Sequence, residues 1–438
     1  MTKPLVALVG RPNVGKSTFF NKVTGKRSAI VENHPGVTRD RLYADAEWCG
    51  YNFTIIDTGG LELKSEDEMW RHIRAQAASA IEVSDVVLFM VDGKQGILPD
   101  DYEIAGLLRQ SNKPVLVLVN KIDNPGDDSY YDFYSLGFES VYAISSEHSL
   151  GLGDVLDDAV SYFEKVEDIK SDALKIAIIG KPNAGKSSLV NKIVGYDRVI
   201  VSDIAGTTRD AIDTEFLYDG KNYILIDTAG IRRKRSIVED LEHYSVIRAL
   251  GAVRRADVAF IVMDCSEEIS EQDVRLCGYV HEQGKPSVII MNKWDLIEKD
   301  THTVNQFENK LKEALKFMDY FKSAYVSALT GKRIEKLISN AEEVYSSATT
   351  RVATGVLNDI IRDAVLINEP PSYKGKRLKI YYASQTDIAP PVIVFFVNDK
   401  LLVHFSYRRY LENTIRKAFG FKGTPIRLVF RNKEEITP

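Results

Sequence analysis

The chain has 438 residues, 44% apolar and 27% charged, more than one hydrophobic core ordinarily serves, which predicts two or three globular domains. No apolar run approaches the ~18 residues that span a bilayer, the opening stretch MTKPLVALVG lacks an export-signal pattern, and Cys49, Cys265 and Cys277 are too few for a disulfide framework, so a cytoplasmic protein without membrane association is expected, with cysteines serving as small packing residues. The net charge of −5 conceals an asymmetry: from Arg351 onward fifteen Lys/Arg stand against eight Asp/Glu, a surplus of seven, which fits contact with a polyanion such as RNA and equally a basic face docked on the chain's own acidic part.

In chain order, the run LVALV reads as a buried strand and opens directly into Gly10-Arg11-Pro12-Asn13-Val14-Gly15-Lys16-Ser17, followed by the helical pattern KSTFFNKVTG. A GxxxxGK[ST] turn between strand and helix points successive backbone N–H groups inward, where the helix dipole favours anions. Gly10 and Gly15 are expected to supply the backbone conformations, Lys16 to reach the β- and γ-phosphates, and the Ser17 hydroxyl to ligate Mg2+. Within the motif GVTRD, Thr38 is the candidate second Mg2+ ligand, on a loop that orders around a triphosphate. The strand NFTIID ends in Asp57-Thr58-Gly59-Gly60-Leu61, where Asp57 is placed to hold Mg2+ through water and the following glycine N–H to contact the γ-phosphate.

Alternation then continues through VSDVVLFMVDG, DYEIAGLLRQ and PVLVLVNK, a βαβ rhythm whose uninterrupted apolar runs predict strands buried on both faces. That pattern implies an α/β fold: a doubly wound, mostly parallel sheet with its ligand at the carboxyl edge. The last of these strands leads into Asn120-Lys121-Ile122-Asp123. Asp123 can accept two hydrogen bonds from the N1–H and N2–H2 edge of guanine; adenine offers no such donor pair, so GTP and GDP are predicted rather than ATP. Asn120 is expected to brace the loop and the Lys121 stem to cover the base, while the loop beginning at Ser145 sits where its backbone could approach the guanine O6.

The whole series then recurs. Gly180-Lys181-Pro182-Asn183-Ala184-Gly185-Lys186-Ser187 lies 170 residues after its first copy, as do the GTTRD motif with Thr208 and the segment Asp227-Thr228-Ala229-Gly230-Ile231. Asn292-Lys293-Trp294-Asp295 follows at an offset of 172, so intervening loops gained two residues. A period this long denotes two duplicated domains, not a solenoid. The expected boundaries are a first nucleotide domain over 1–163, a polar linker over 164–172, a second nucleotide domain over 173–350 and a basic domain over 351–438. In the last of these the pattern reads helix, strand, strand, helix, strand.

These motifs, in this order and twice over, resemble the Era-type GTPases. With the basic αββαβ tail, they are similar to the Der (EngA) family over essentially the whole chain. The resemblance implies two P-loop GTPase domains with a KH-like domain, and a bacterial cytoplasmic GTPase that associates with the large ribosomal subunit and its RNA and assists subunit assembly. A monomer is expected. Lys16, Thr38, Lys186 and Thr208 are the expected catalytic residues. Leu61 and Ile231 stand where many small GTPases carry a water-orienting glutamine, which implies slow intrinsic turnover. Related GTPases ligate K+ through the asparagine of the phosphate loop, and Asn13 and Asn183 match that position; capping of the turn is the alternative reading. The basic run Ile231-Arg-Arg-Lys-Arg-Ser236 occurs only in copy two and reads as a solvated face, an RNA contact or an interdomain latch.

The tail departs from KH domains in one respect. Its GxxG letters, Gly420 to Gly423, lie between helix and strand rather than between two helices, which puts the usual RNA clamp in doubt, although Arg408, Arg409, Arg416 and Lys417 could contact RNA backbone or pack on the nucleotide domains. A competing function is an RNA-binding scaffold whose domain arrangement is set by GTP occupancy, with hydrolysis only as reset.

Overall fold

The structure is a computed structural model describing residues 3–24, 43–58, 80–111, 113–124, 126, 128–163, 173–195, 199–201, 213–227, 242–373 and 376–432. Two compact units are present, one formed by residues 1–170 with 239–254, the other by 171–238 with 255–438.

In the first unit, β1 (Leu5–Val9), α1 (Lys16–Thr24), β2 (Tyr43–Trp48), β3 (Tyr51–Asp57), β4 (Val86–Asp92), α2 (Pro99–Arg109), β5 (Val115–Asn120), a 3-10 helix (Asp128–Leu136), β6 (Val141–Ala143) and α3 (Leu152–Ser161) follow in turn. The strands form one six-stranded sheet in the order β2-β3-β1-β4-β5-β6. Every pair in it is parallel except β2 with β3. Strand β1 shows why its residues are uniformly apolar: Val6 and Leu8 enter the core beneath α1 and α3, while Ala7 and Val9 enter the core beneath α2 and the 3-10 helix. A strand covered on both faces loses the polar alternation of a half-exposed one.

The second unit repeats this plan with β7 (Leu174–Ile179), α4 (Lys186–Val194), β8 (Val199–Val201), β9 (Thr214–Tyr218), β10 (Lys221–Ile226), α5 (Glu242–Arg255), β11 (Val258–Asp264), α6 (Glu271–Glu282), β12 (Ser287–Asn292), α7 (Thr303–Ala314), β13 (Lys322–Tyr325) and α8 (Glu335–Thr349). Its seven strands run β13-β12-β11-β7-β10-β9-β8, with β8 and β9 antiparallel at one edge. Most of helix α5 clusters with the first unit, where Gly251 lies against Val83 and Arg254 pairs with Asp85 at 2.6 Å.

The C-terminal part comprises α9 (Thr354–Ile367), a short hairpin of β14 (Ser372–Tyr373) and β15 (Lys376–Arg377), β16 (Ile380–Asp387), β17 (Val392–Val397), α10 (Phe405–Phe419) and β18 (Arg427–Asn432). Hairpin apart, this is the αββαβ order expected from the sequence. The sheet runs β16-β17-β18, antiparallel then parallel, with α9 and α10 on one face around Leu357, Ala383, Phe395 and Leu411.

The loop with the GxxG letters is anchored at its second glycine, where Phe421 and Gly423 are buried while Gly420 and Lys422 are exposed. Gly423 N donates to Tyr320 O at 2.8 Å, Ser287 N donates to Gly423 O at 2.8 Å, and a Cβ on Gly423 would stand 2.3 Å from Val344 Cγ1. Arg416 lays its guanidinium over the Tyr320 ring at 4.5 Å and donates to Phe421 O and Thr424 O. Arg408 donates to Leu428 O and Arg409 to Lys316 O, whereas Lys417 is exposed. Of the open alternatives, packing on the nucleotide domain holds for Arg416 and Arg409. One expectation about the cysteines is corrected: Cys265 and Cys277 are buried, but Cys49 is exposed, in a left-handed turn at φ 47° after β2.

Candidate functional site

Each phosphate loop leaves the carboxyl end of the central strand of its sheet, the edge that a doubly wound topology opens to ligands. Gly10 has φ 153°, and a Cβ there would sit 2.2 Å from Met90 O; Gly180 has φ 151° and meets Val262 O at 2.3 Å. Gly15 and Gly185 approach the amide nitrogens of Asn120 and Asn292 so closely that a Cβ would lie 2.1 Å from each. Any side chain at these four positions would therefore push the loop off its bracing strands.

Lys16 is buried and donates to Gly10 O at 2.6 Å and Arg11 O at 2.5 Å, holding the ammonium over the loop. Lys186 repeats this with Gly180 O and Lys181 O, both at 2.6 Å. Burial lowers the Lys16 pKa to about 8, against the opposing attraction of Asp57. Burial that disfavours the charged ammonium is relieved by an anion placed against it. Ser17 Oγ donates to Asp57 Oδ2 at 3.1 Å, so the two oxygen donors expected at Mg2+ converge. They fit a hard cation that takes oxygen ligands and retains water. Asp227 sits at φ 57°, its N–H donating to Asp213 Oδ1 at 2.9 Å, and Asp213 in turn pairs with Arg255.

The asparagines of NKxD brace the loop as expected. Asn120 Nδ2 donates to Val14 O at 2.7 Å and its Oδ1 accepts from Ser146 N at 2.9 Å; Asn292 does the same with Ala184 O at 2.8 Å and Ala328 N at 3.0 Å. Each thereby ties the phosphate loop to the loops at Ser145 and Ser327. Lys121 and Lys293 reach Asp92 and Asp264, both at 2.5 Å, and Lys121 also donates to Asn13 O. Asn13 and Asn183 share φ 63°, so these asparagines occupy left-handed turn positions.

At the base-reading position, Asp123 accepts from Ser145 Oγ at 2.8 Å and pairs with Lys94 at 2.7 Å, contacts that hold its carboxyl below the usual range, Lys94 contributing most. Asp295 is held low chiefly by Ser327, and its Oδ1 is buried without a hydrogen-bond partner. An orphaned carboxylate oxygen at this position fits a missing donor pair.

Three features escaped the sequence reading. Asp92 and Asp264, which anchor the NKxD lysines, were visible as a repeated aspartate at matching strand ends. Buried Arg11 pairs with fully buried Asp101 at 2.8 Å, and Lys181 with Glu267 at 2.7 Å and Asp273 at 3.5 Å, tethering each phosphate loop to a helix start. Lys94, whose counterpart at the matching place in copy two is Ser266, had no sequence signal. Thr38, Gly59, Gly60, Leu61, Thr208, Thr228, Ala229, Gly230, Ile231, the linker over 164–172 and the basic run over 231–236 lie outside the described residues.

Two phosphate cradles, each joined to an NKxD loop at the mouth of a doubly wound sheet, define a tandem P-loop GTPase. Comparison with known proteins agrees: a family model described as "50S ribosome-binding GTPase" matches residues 5–121 and 175–293, and one described as "KH-domain-like of EngA bacterial GTPase enzymes, C-terminal" matches 351–431. The chain is similar to "GTPase Der" of Acetivibrio thermocellus, 53% identical over 439 residues covering 99% of this chain and 100% of that one. It is also 53% identical to "GTPase Der" of Clostridium acetobutylicum over 437 residues, again 99% and 100%. The chain belongs to the GTPase Der family. Its reaction is the hydrolysis of GTP, and it is a GTP-binding switch with two nucleotide domains. Among the described residues no helix is long and apolar enough to cross a membrane.

Proposed function

We propose that both nucleotide sites bind and hydrolyse GTP, and that this cycle serves the assembly of the large ribosomal subunit in the cytoplasm. The observation carrying this reading is the duplicated cradle, with Lys16 and Lys186 each held over its loop and Asp123 and Asp295 each at the base-reading position. The phosphate-loop N–H groups and the lysine stabilise charge developing on the γ-phosphoryl oxygens as the bond to the leaving β-phosphate breaks. Ser17 and Asp57, with Thr38, would hold Mg2+ in the first site, and Ser187, Asp227 and Thr208 in the second, where it would supply neutralisation of phosphate charge. Asn13 and Asn183 are proposed K+ ligands, supplying through the cation the positive charge that an arginine finger gives elsewhere. The domain limits proposed remain 1–163, 173–350 and 351–438, with 164–172 as linker.

The matched family description names 50S ribosome binding and supports the ribosomal part of the proposal. Sedimentation with purified ribosomal subunits under GTP, GDP and a non-hydrolysable analogue tests it: co-migration with the large subunit should depend on the nucleotide. Identical profiles in all three would reject nucleotide-gated binding. Stimulation of turnover by K+ and ribosomal particles separates a hydrolytic switch from a scaffold that uses hydrolysis only as reset.

A further inference from the structure

The 3-10 helix Asp128–Leu136 presents two contrasting faces. Phe133 and Leu136 are buried in the core of the first unit, while Tyr131 is 55% exposed and Tyr134 43% exposed. The rings are ordered relative to one another: Tyr130, half-buried against the core, stacks on Tyr131 with centroids 4.3 Å apart, and Tyr131 and Tyr134 stack at 6.2 Å with only 19° between planes. Tyr102 on α2 extends the surface, 46% exposed, its hydroxyl 3.4 Å from Ser135 Oγ. Tyr102, Tyr131 and Tyr134 thus form one open aromatic surface backed by half-buried Tyr130, and tyrosine is a residue type enriched at interface centres.

Its surroundings are acidic. Asp128, Asp132 and Glu103 are exposed beside the rings and outweigh the charge of nearby Arg109, which is held aside by donating to Leu136 O at 2.6 Å. The matching position of copy two carries no such ladder: Phe307 on α7 points inward onto Trp294 and Tyr325. The aromatic surface is therefore not a requirement of the fold.

We propose that this surface of the first nucleotide domain is a docking site for an arginine-rich polypeptide segment. Guanidinium groups stack on exposed phenol rings and pair with flanking carboxylates in one geometry. Nucleic acid would also stack on tyrosines, but Asp128, Asp132 and Glu103 repel its phosphates, and the charge of the site selects between the two.

The test uses the full chain at physiological salt and a labelled peptide alternating arginine with glycine, with its lysine counterpart and an oligouridine as comparison probes. Fluorescence anisotropy should show the arginine peptide binding more tightly than the lysine peptide, and no oligouridine affinity that depends on these tyrosines. The double variant Tyr131→Ala/Tyr134→Ala should weaken arginine-peptide binding about tenfold, Asp132→Asn about threefold, and Tyr162→Ala on another surface not at all. GTP turnover, whose residues lie elsewhere, reports that the variants fold. In the unaltered protein, hydrogen exchange of amides 128–136 should slow when the peptide binds. Unchanged peptide affinity in the double variant, unchanged exchange over 128–136, or a loss of oligouridine rather than peptide binding would each overturn the proposal.

Discussion

The two nucleotide sites share a backbone and differ in their charges. In both, two glycines, a lysine and a bracing asparagine take the same positions, down to matching distances from buried Lys16 and half-buried Lys186 to the loop carbonyls. In site one, however, the base-reading carboxylate is paired to Lys94 and the loop is tied by the buried pair Arg11–Asp101. In site two Asp295 has an unpartnered oxygen, and Lys181 divides itself between Glu267 and Asp273. Duplication has kept what the phosphate requires of the backbone and let the side chains around it vary. Site one is expected to exchange a competing ion pair for guanine, and site two to fill a vacant acceptor.

The largest expected effect tests whether both sites read guanine through one carboxylate. Asp123→Ala and Asp295→Ala should each weaken binding at their own site by about a hundredfold or more, because two charge-assisted hydrogen bonds are lost. Calorimetry with GDP would then fall from two sites per chain to one for either variant, and retention of two would break the equivalence of the sites.

Next comes the tether. Arg11→Met leaves the fully buried Asp101 carboxylate without its counter-charge, which should cost about 3–5 kcal/mol in the first unit. Lys181→Met should cost less, since Lys181 stands 3.5 Å from buried Asp273, farther than Arg11 from Asp101, and its closer partner Glu267 is 57% exposed at its side chain. Thermal unfolding of the nucleotide-free protein compares them, and equal shifts would remove the distinction.

A pH dependence follows from Lys16. Its folded pKa, lowered by burial to about 8, lies beneath the ordinary 10.5, so between those values the unfolded chain holds more protons. The sign is therefore that nucleotide-free stability rises with pH across this window and is unaffected by this group below it. Triphosphate restores the ammonium, so binding at site one should take up a proton near pH 8–9, and affinity should fall by up to about tenfold per unit above pH 8. Calorimetry in buffers of different ionisation enthalpy would show the uptake; its absence would mean that Lys16 is already charged in the empty site.

The smallest effect concerns Lys94. Lys94→Ala should tighten GDP binding at site one by about threefold, and Ser266→Lys should loosen site two by a similar factor, both differences shrinking as salt is raised. Equal affinities in all four combinations would show that the Lys94–Asp123 pair opens at no cost to guanine.

Much of the site was legible in the residues because its requirements are local. A glycine with positive φ, a lysine one residue beyond it and an aspartate at the end of an apolar strand announce themselves by spacing, and the same spacing twice announced the duplication. Arg11–Asp101 was not legible, because its partners stand 90 residues apart and either alone reads as a solvated charge. Nor was the burial of Gly423, the second GxxG glycine, which required Tyr320, Ser287 and Val344 to converge on it. The exposure of Tyr131 and Tyr134 was equally hidden: in sequence, aromatic residues beside Phe133 and Leu136 look like more core.

The amino-acid sequence by itself determined the parallel α/β class, the duplication, the phosphate cradles and the preference for guanine, because backbone conformation and hydrogen-bond chemistry are properties of short segments. Only the tertiary structure decided which charges neutralise one another, which basic groups of the C-terminal part are spent on its own neighbour, and which tyrosines face water. Those outcomes depend on how elements distant in the chain pack, and packing is where the burial of a charge or a ring is gained or refused.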